Sequence, residues 1–301
     1  MMSSKPKIIF WGTSELGVPV LDLLLQNGYP IIGVISAPDA IAGRGQKQTQ
    51  ASAISQFATQ HNLPLFQPET LRKNDDFFQT LIDLKADLGI LVAYGKLIPE
   101  RFITLFPKGI INLHPSLLPK YRGPSPLQTA ILNGDTQTGL SLMLLDQEMD
   151  HGEILAQAKQ VIEPTDTTAT LSLKLARAGA ELLIKILPDY LADKITPQPQ
   201  DHTQATISKI INKLDGQLDW TKTTAQILNQ IRAFTPWPGT YTKLQCKILK
   251  IIKARAATPT DIGLRFHCAD GEILAEEVQL EGKKKMTGDE FLRGYKHLLN
   301  K

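Results

Sequence analysis

An asparagine and a histidine two positions apart, Asn112 and His114, close an apolar run in the stretch INLHPSLLPKYRGPSP, residues 111–126. The strand period of two puts both side chains on one face, so an amide donor and an imidazole can converge on a single reacting atom. Pro115, Pro119, Pro124 and Pro126 restrict the backbone that follows, and SLLP between the first two predicts a rigid wall for a flat ligand. A carboxylate joins the set: Asp150, in MDHGEIL, follows a second apolar run, TGLSLMLLD, which in an open sheet can lie beside the strand ending at His114. A carboxylate near an imidazole fixes its tautomer and favours its charged form. Asn, His and Asp with no cysteine or activated serine describe a site that stabilises charge and moves protons; covalent catalysis is not favoured. Ser116 lacks the GxSxG context of a nucleophile, and His151 reads as a spacer.

The elements that must position these residues alternate. KIIFWG reads as a buried strand, LGVPVLDLLLQNG as a helix stopped by Gly28, and IIGVIS as the next strand. SAISQFATQHN and NDDFFQTLIDLKA are predicted helices, with PLF a short strand between them and DLGILVAY a further buried strand. Such alternation implies an open, mostly parallel sheet joined by right-handed crossovers, with helices on both faces, which binds ligands at the carboxyl ends of its strands. The first turn, GTSELG, lacks GxGxxG spacing, so a dinucleotide is not indicated. Then follow a helix over PSPLQTAILNG, strands over TGLSLMLLD and GEILAQAKQVI, and a long helix over TATLSLKLARAGAELLIKIL. Residues 192–208, rich in Thr, Pro and Gln, predict a linker. Beyond it, a small helical segment and short strands at TYTKLQ, KILKIIKA, GLRFHCA and EILAEEVQL predict a small antiparallel barrel. The expected domains are thus 1–191 and 209–301.

At 301 residues the chain can bury a substantial core, and a prior of about 150 residues per domain also suggests two domains. With 42% hydrophobic and 21% charged residues, it is neither disordered nor dominated by apolar runs, and none of those runs approaches the roughly 20 residues of a membrane-spanning helix. The opening MMSSKPKIIFWG has no secretory h-region, and the expected location is cytoplasmic. Neither Cys246 and Cys268 nor the six histidines show metal-ligand spacing, so no metal is expected. The net charge of +3 is uneven: residues 1–210 carry 18 Lys and Arg against 20 Asp and Glu, the remainder 15 against 10. A weakly basic last third invites a polyanion. Lys243, Lys247, Lys250, Lys253 and Arg255 alternate with apolar residues along a predicted strand pair, and Lys283 to Lys285 fall at a turn. As a set they make a phosphate-tracking surface; singly, they are edge-strand or solvated charges.

INLHPSLLPKYRGPSPLQTAILNGD followed by TGLSLMLLDQEMDHGEILAQ resembles the signature of the folate-dependent formyltransferases, which use 10-formyltetrahydrofolate. The resemblance implies that the first domain is a Rossmann-like α/β sheet, in agreement with the alternation, that Asn112, His114 and Asp150 are the catalytic residues and that Ser116, Leu117, Leu118 and Pro119 contact the folate. FWGTSELGVPVLDLL, PDAIAGRGQK, INKLDGQLDW, IRAFTPWPGTYT and EGKKKMTGDEFLRG resemble the members whose acceptor is initiator methionyl-tRNA, nearly end to end. Their C-terminal domain is an OB-like barrel that binds tRNA, which would place Lys243, Lys247, Lys250 and Lys283 at the tRNA surface in a monomeric, membrane-independent enzyme. The loop at residues 37–50 would grip the acceptor arm through Arg44 and Lys47, although Ala40 and Ile41 stand where Arg-Pro is common and Gln46 where a basic residue is common. The nearest rival is a sugar-nucleotide N-formyltransferase with the same donor; PWPG, AGRG and the basic last third favour tRNA. A glycinamide ribonucleotide formyltransferase would lack the C-terminal domain, and a non-catalytic RNA-binding protein would not need the Asn112, His114 and Asp150 set.

Overall fold

The computed structural model describes residues 5–41 and 49–299. In chain order the first elements are β1 (Ile8–Gly12), α1 (Val18–Gln26), β2 (Ile31–Ile35), β3 (Ala40–Ile41), β4 (Thr49–Gln50), α2 (Ala53–Gln60), β5 (Leu65–Phe66), α3 (Asp75–Leu84), β6 (Leu88–Val92), α4 (Glu100–Ile103) and β7 (Ile110–His114). There follow α5 (Pro126–Leu132), β8 (Gln137–Leu144), β9 (Ile154–Val161), α6 (Thr168–Leu191) and α7 (Thr224–Ala233). The chain closes with β10 (Thr240–Leu244), β11 (Lys247–Ala256), β12 (Arg265–His267), β13 (Glu272–Leu280), β14 (Met286–Thr287) and α8 (Gly288–Tyr295). These residues form two compact units, the first from 1–122, 139–160 and 172–207, the second from 123–138, 161–171 and 208–301.

The first unit is built on a seven-stranded sheet of order β5-β2-β1-β6-β7-β8-β9. Strands β2, β1, β6 and β7 pair in parallel, as the alternation predicts, and β8 pairs antiparallel with β7. β1 is buried at all five positions, the pattern of a strand covered on both faces. Gly89 is small for a reason: a Cβ there would stand 2.7 Å from Ile110 on the neighbouring strand. Side-chain caps set the helix starts, Ser52 accepting from Ser55 N ahead of α2 and Asn74 from Phe77 N ahead of α3. The α6 helix runs past the expected end at Leu187 to Leu191, with Pro188 in its last turn. Residues 198–207, within the expected linker, lie hydrogen-bonded along this unit: Gln198 and Ile154 exchange both backbone bonds, and Tyr121 N and Arg122 N donate to Oγ1 and O of Thr206.

The second unit has an antiparallel sheet of order β10-β11-β13-β12, with β14 added to β13. Its inner face, with Leu249, Ile251, Val278 and Leu280, packs with Ile227 and Ile231 of α7 and Phe291 of α8 into one core. No helix was expected at α8, although Thr287 and Glu290 form a reciprocal capping box at its start. Near the end of β11, Arg255 donates bidentately to Asp261 (2.6 Å for each bond), holding that carboxyl well below the usual carboxylate range. A depressed folded-state value means stabilisation that is complete above the unfolded value and is lost as pH falls through the folded one. Asp261→Asn is therefore expected to lower the melting temperature at neutral pH and to converge on the unmodified protein in strong acid, read from thermal melts at the two pH values.

Candidate active site

β7 ends at the sheet's carboxyl edge with Asn112 and His114 on one face, 6% and 4% exposed. β8 pairs alongside it, Ser141 opposite His114, as the open-sheet reading requires. The segment after β8 returns to place Asp150 Oδ1 3.4 Å from His114 Nδ1. His114 Nε2 donates to the carbonyl of Tyr121 at 3.0 Å, so both ring nitrogens face acceptors and the ring orientation is set from both sides. The amide of Asn112 has no hydrogen-bond partner among the described residues. The amide is not among the wholly buried unpartnered atoms, so although the residue is largely covered its polar end opens to the site, where a polar atom of a ligand can be received.

The SLLP turn is braced rather than open. Ser116, fully buried, donates from Oγ to the Lys120 carbonyl at 2.6 Å, so its side chain serves the turn itself. Ser141 Oγ donates to Ser116 O and accepts from Leu118 N, and Gln157 Nε2 donates to Leu118 O. Leu118 is buried, whereas Leu117 and Pro119 are half-buried. A Cβ on Gly139 would lie 2.2 Å from Ala158 O and 2.4 Å from Leu117, so the glycine lets Leu117 settle against the sheet. Stiffness was readable from the prolines; the inward turn of Ser116 and Leu118 was not, since side-chain direction in an irregular loop follows no period.

Asp150 occupies the left-handed region at φ 52°, rare for a residue with a side chain. Gln200 holds this turn, donating Nε2 to the carbonyls of Asp150 and Gly152. His151 Nδ1 lies 2.7 Å from Asp146 Oδ2, and its ring stacks on His202 at 4.0 Å. Neither Gln200 nor His202 carried a motif signal in the sequence. No group of three or more His, Cys, Asp or Glu side chains suited to a metal exists among the described residues, and none of the described helices is long and apolar enough to cross a membrane.

Arg44 and Lys47 lie outside the described residues. In the second unit the register puts Lys243 and Lys250 on the outer face of the β10-β11 hairpin, because Lys243 opposes Ile248 and Tyr241 opposes Lys250. Lys247 opposes Leu244 and therefore projects from the other face at the hairpin's end. Gln279, opposite Lys250, donates to the carbonyl of Lys283 and ties that turn to the outer face. Lys253 and Arg255 pair with Glu276, and Lys285 with Glu277. Lys243, Lys247, Lys250 and Lys283 carry no ion pair among the described residues.

Residues 6–187 match the formyl transferase family, and residues 210–296 match the formyl transferase C-terminal domain. A methionyl-tRNA formyltransferase of Sulfurihydrogenibium sp. is 37% identical over 303 residues, covering 96% of this chain and 97% of its own. One from Chloroflexus aurantiacus is 40% identical over 304 residues, covering 96% of each. An N-formyltransferase from Helicobacter canadensis, solved with folinic acid and dTDP-3-aminofucose, shares the fold: its TM-score is 0.67 at 21% identity, over 94% of this chain and 99% of that one. The chain belongs to the formyl transferase family, and within it to the methionyl-tRNA formyltransferases.

Proposed function

We propose that this protein transfers the formyl group of 10-formyltetrahydrofolate to the α-amine of methionine on initiator methionyl-tRNA, giving N-formylmethionyl-tRNA. The observation that carries the reading is the unpartnered Asn112 amide beside the His114–Asp150 pair at the sheet's carboxyl edge. Attack of the amine on the formyl carbon forms a C–N bond, breaks the bond to folate N10 and passes through an oxyanion. Asn112 donates its amide N–H to that oxygen, and His114, with a proton on Nδ1, donates a second bond from a site shielded from water. Asp150 orients the ring, accepts the proton that the amine loses, directly or through a water, and returns it by the same route to N10 as the bond to the formyl carbon breaks. The braced SLLP turn, with Leu117 and Pro119 still partly open to solvent, forms the wall for the folate ring.

Lys243, Lys250 and Lys283, on and beside one face of the second unit, supply contacts to tRNA phosphates, with Lys247 at the edge and Arg44 and Lys47 as further contacts. Lys250→Glu is expected to raise the KM for methionyl-tRNA with little change in kcat and to reduce the slope of log KM against log salt by about one. Steady-state kinetics across a salt series check this; an unchanged slope removes Lys250 from the interface.

The deciding experiment is transfer of labelled formyl from 10-formyltetrahydrofolate, with initiator methionyl-tRNA, elongator methionyl-tRNA and a UDP-amino sugar as parallel acceptors. Selective labelling of the initiator supports the proposal. Labelling of the sugar alone keeps the chemistry and overturns the acceptor.

A further inference from the structure

Gln200 lies within the run predicted as a linker, yet it is 5% exposed and all of its polar atoms are engaged. Nε2 donates to Asp150 O at 3.0 Å and Gly152 O at 2.7 Å, while Oε1 accepts from Nε and Nη2 of Arg122 at 3.1 and 2.7 Å. Arg122, itself 7% exposed, follows Tyr121, whose carbonyl receives His114 Nε2. The amide thus joins two loops: one carries Asp150, the other carries the acceptor that holds His114.

We infer that Gln200 is a positioning residue for formyl transfer, fixing the Asp150 turn against the Tyr121–Arg122 loop and so setting the carboxylate's placement on the His114 ring. The inference rests on the catalytic role proposed for Asp150. Only a side chain with both a donor and an acceptor satisfies these partners: two carbonyl oxygens require N–H groups, and the buried guanidinium requires an oxygen. A glutamate would keep the Arg122 bonds and turn an oxygen toward two carbonyls; an apolar residue would remove all four bonds, leaving Arg122 its contact with His202 Nδ1 but nothing from this side chain on the Asp150 turn. The need is sharpest at Asp150, whose left-handed backbone persists only when its surroundings over-determine it.

The test is made in the full-length chain with Gln200→Ala, Gln200→Glu and Gln200→Met, the last preserving volume should the alanine variant fold poorly. Each is measured alone and with Asp150→Ala, after circular dichroism confirms a native spectrum. Alone, each is expected to lower kcat about tenfold or more, with KM for both substrates changed by less than about twofold. With Asp150→Ala already present, the same substitutions are expected to change kcat by less than about twofold, because the group they position is gone. The glutamate variant should be as slow as the others, showing that the Asp150 arm matters. Equal losses in both backgrounds, a loss confined to KM, or normal turnover in Gln200→Glu would overturn the inference. Normal turnover of Asp150→Ala by itself would instead overturn the catalytic reading beneath it.

Discussion

Asn112→Ala is expected to lower kcat for formyl transfer by about 10²- to 10³-fold, the usual loss for one oxyanion donor. Because the Asn112 amide bonds no protein group among the described residues, its removal breaks no internal hydrogen bond. The side chain is 6% exposed at the end of a strand paired on both sides, so the backbone should hold its course and the fold should survive. The loss should appear in kcat and in kcat/KM equally, since the bond forms only as charge develops on the formyl oxygen. Single-turnover kinetics with saturating donor would separate it from slow product release. His114→Ala and Asp150→Ala should each cost at least about tenfold, but His114 also bonds Tyr121, so its effect mixes donor loss with relaxation of the loop. A near-normal rate for Asn112→Ala would remove the amide from the mechanism.

Gly152→Ala is expected to cost stability and rate together. Its Cβ would stand 1.9 Å from the carbonyl oxygen of Leu144, a backbone atom at the end of β8. That end is pinned, because Leu144 N donates to Glu153 O at 2.8 Å, so neither side can yield without breaking a ladder bond. Overpacking of this kind costs about 1–3 kcal/mol, and the upper end is expected where backbone must move. Asp150 lies two residues upstream in the same turn, so the displacement should lower kcat about tenfold beyond any loss of folded protein. Thermal melts give the first quantity and active-site-normalised turnover the second. A variant with unchanged melting temperature and rate would show that the turn is looser than its bonds imply.

Much of the first unit was legible because its signals are periodic. The apolar Ile110, Ile111 and Leu113 of β7 announce a covered strand, and a spacing of two then puts Asn112 and His114 on one face. Asp150 could be joined to them because β8 was readable as a strand that pairs beside β7. What was not legible lacks a period. Gln200 sits among Thr, Pro and Gln residues whose composition matches a solvated linker, and its partners, Asp150, Gly152 and Arg122, lie far away in sequence. Ser116 and Leu118 turn inward because Ser141 and Gln157 bond the loop backbone, information held on other strands. At α8, the capping box of Thr287 and Glu290 was a readable local signal, obscured by a helix of eight residues. In the basic strands, composition showed the lysines, but register was needed to separate Lys250 from Lys247.

The second unit draws on residues 123–138 and 161–171 as well as on 208–301, so its parts are not contiguous in the chain. During synthesis α5 emerges well before α7, against which it packs, so that contact waits for the intervening chain. Thr168 Oγ1 waits in the same way for the Ala233 carbonyl. A nascent chain stalled between these segments therefore holds the early parts of this unit without the elements that close it, and with Phe291 of α8 in its core the unit can be completed only near the end of translation.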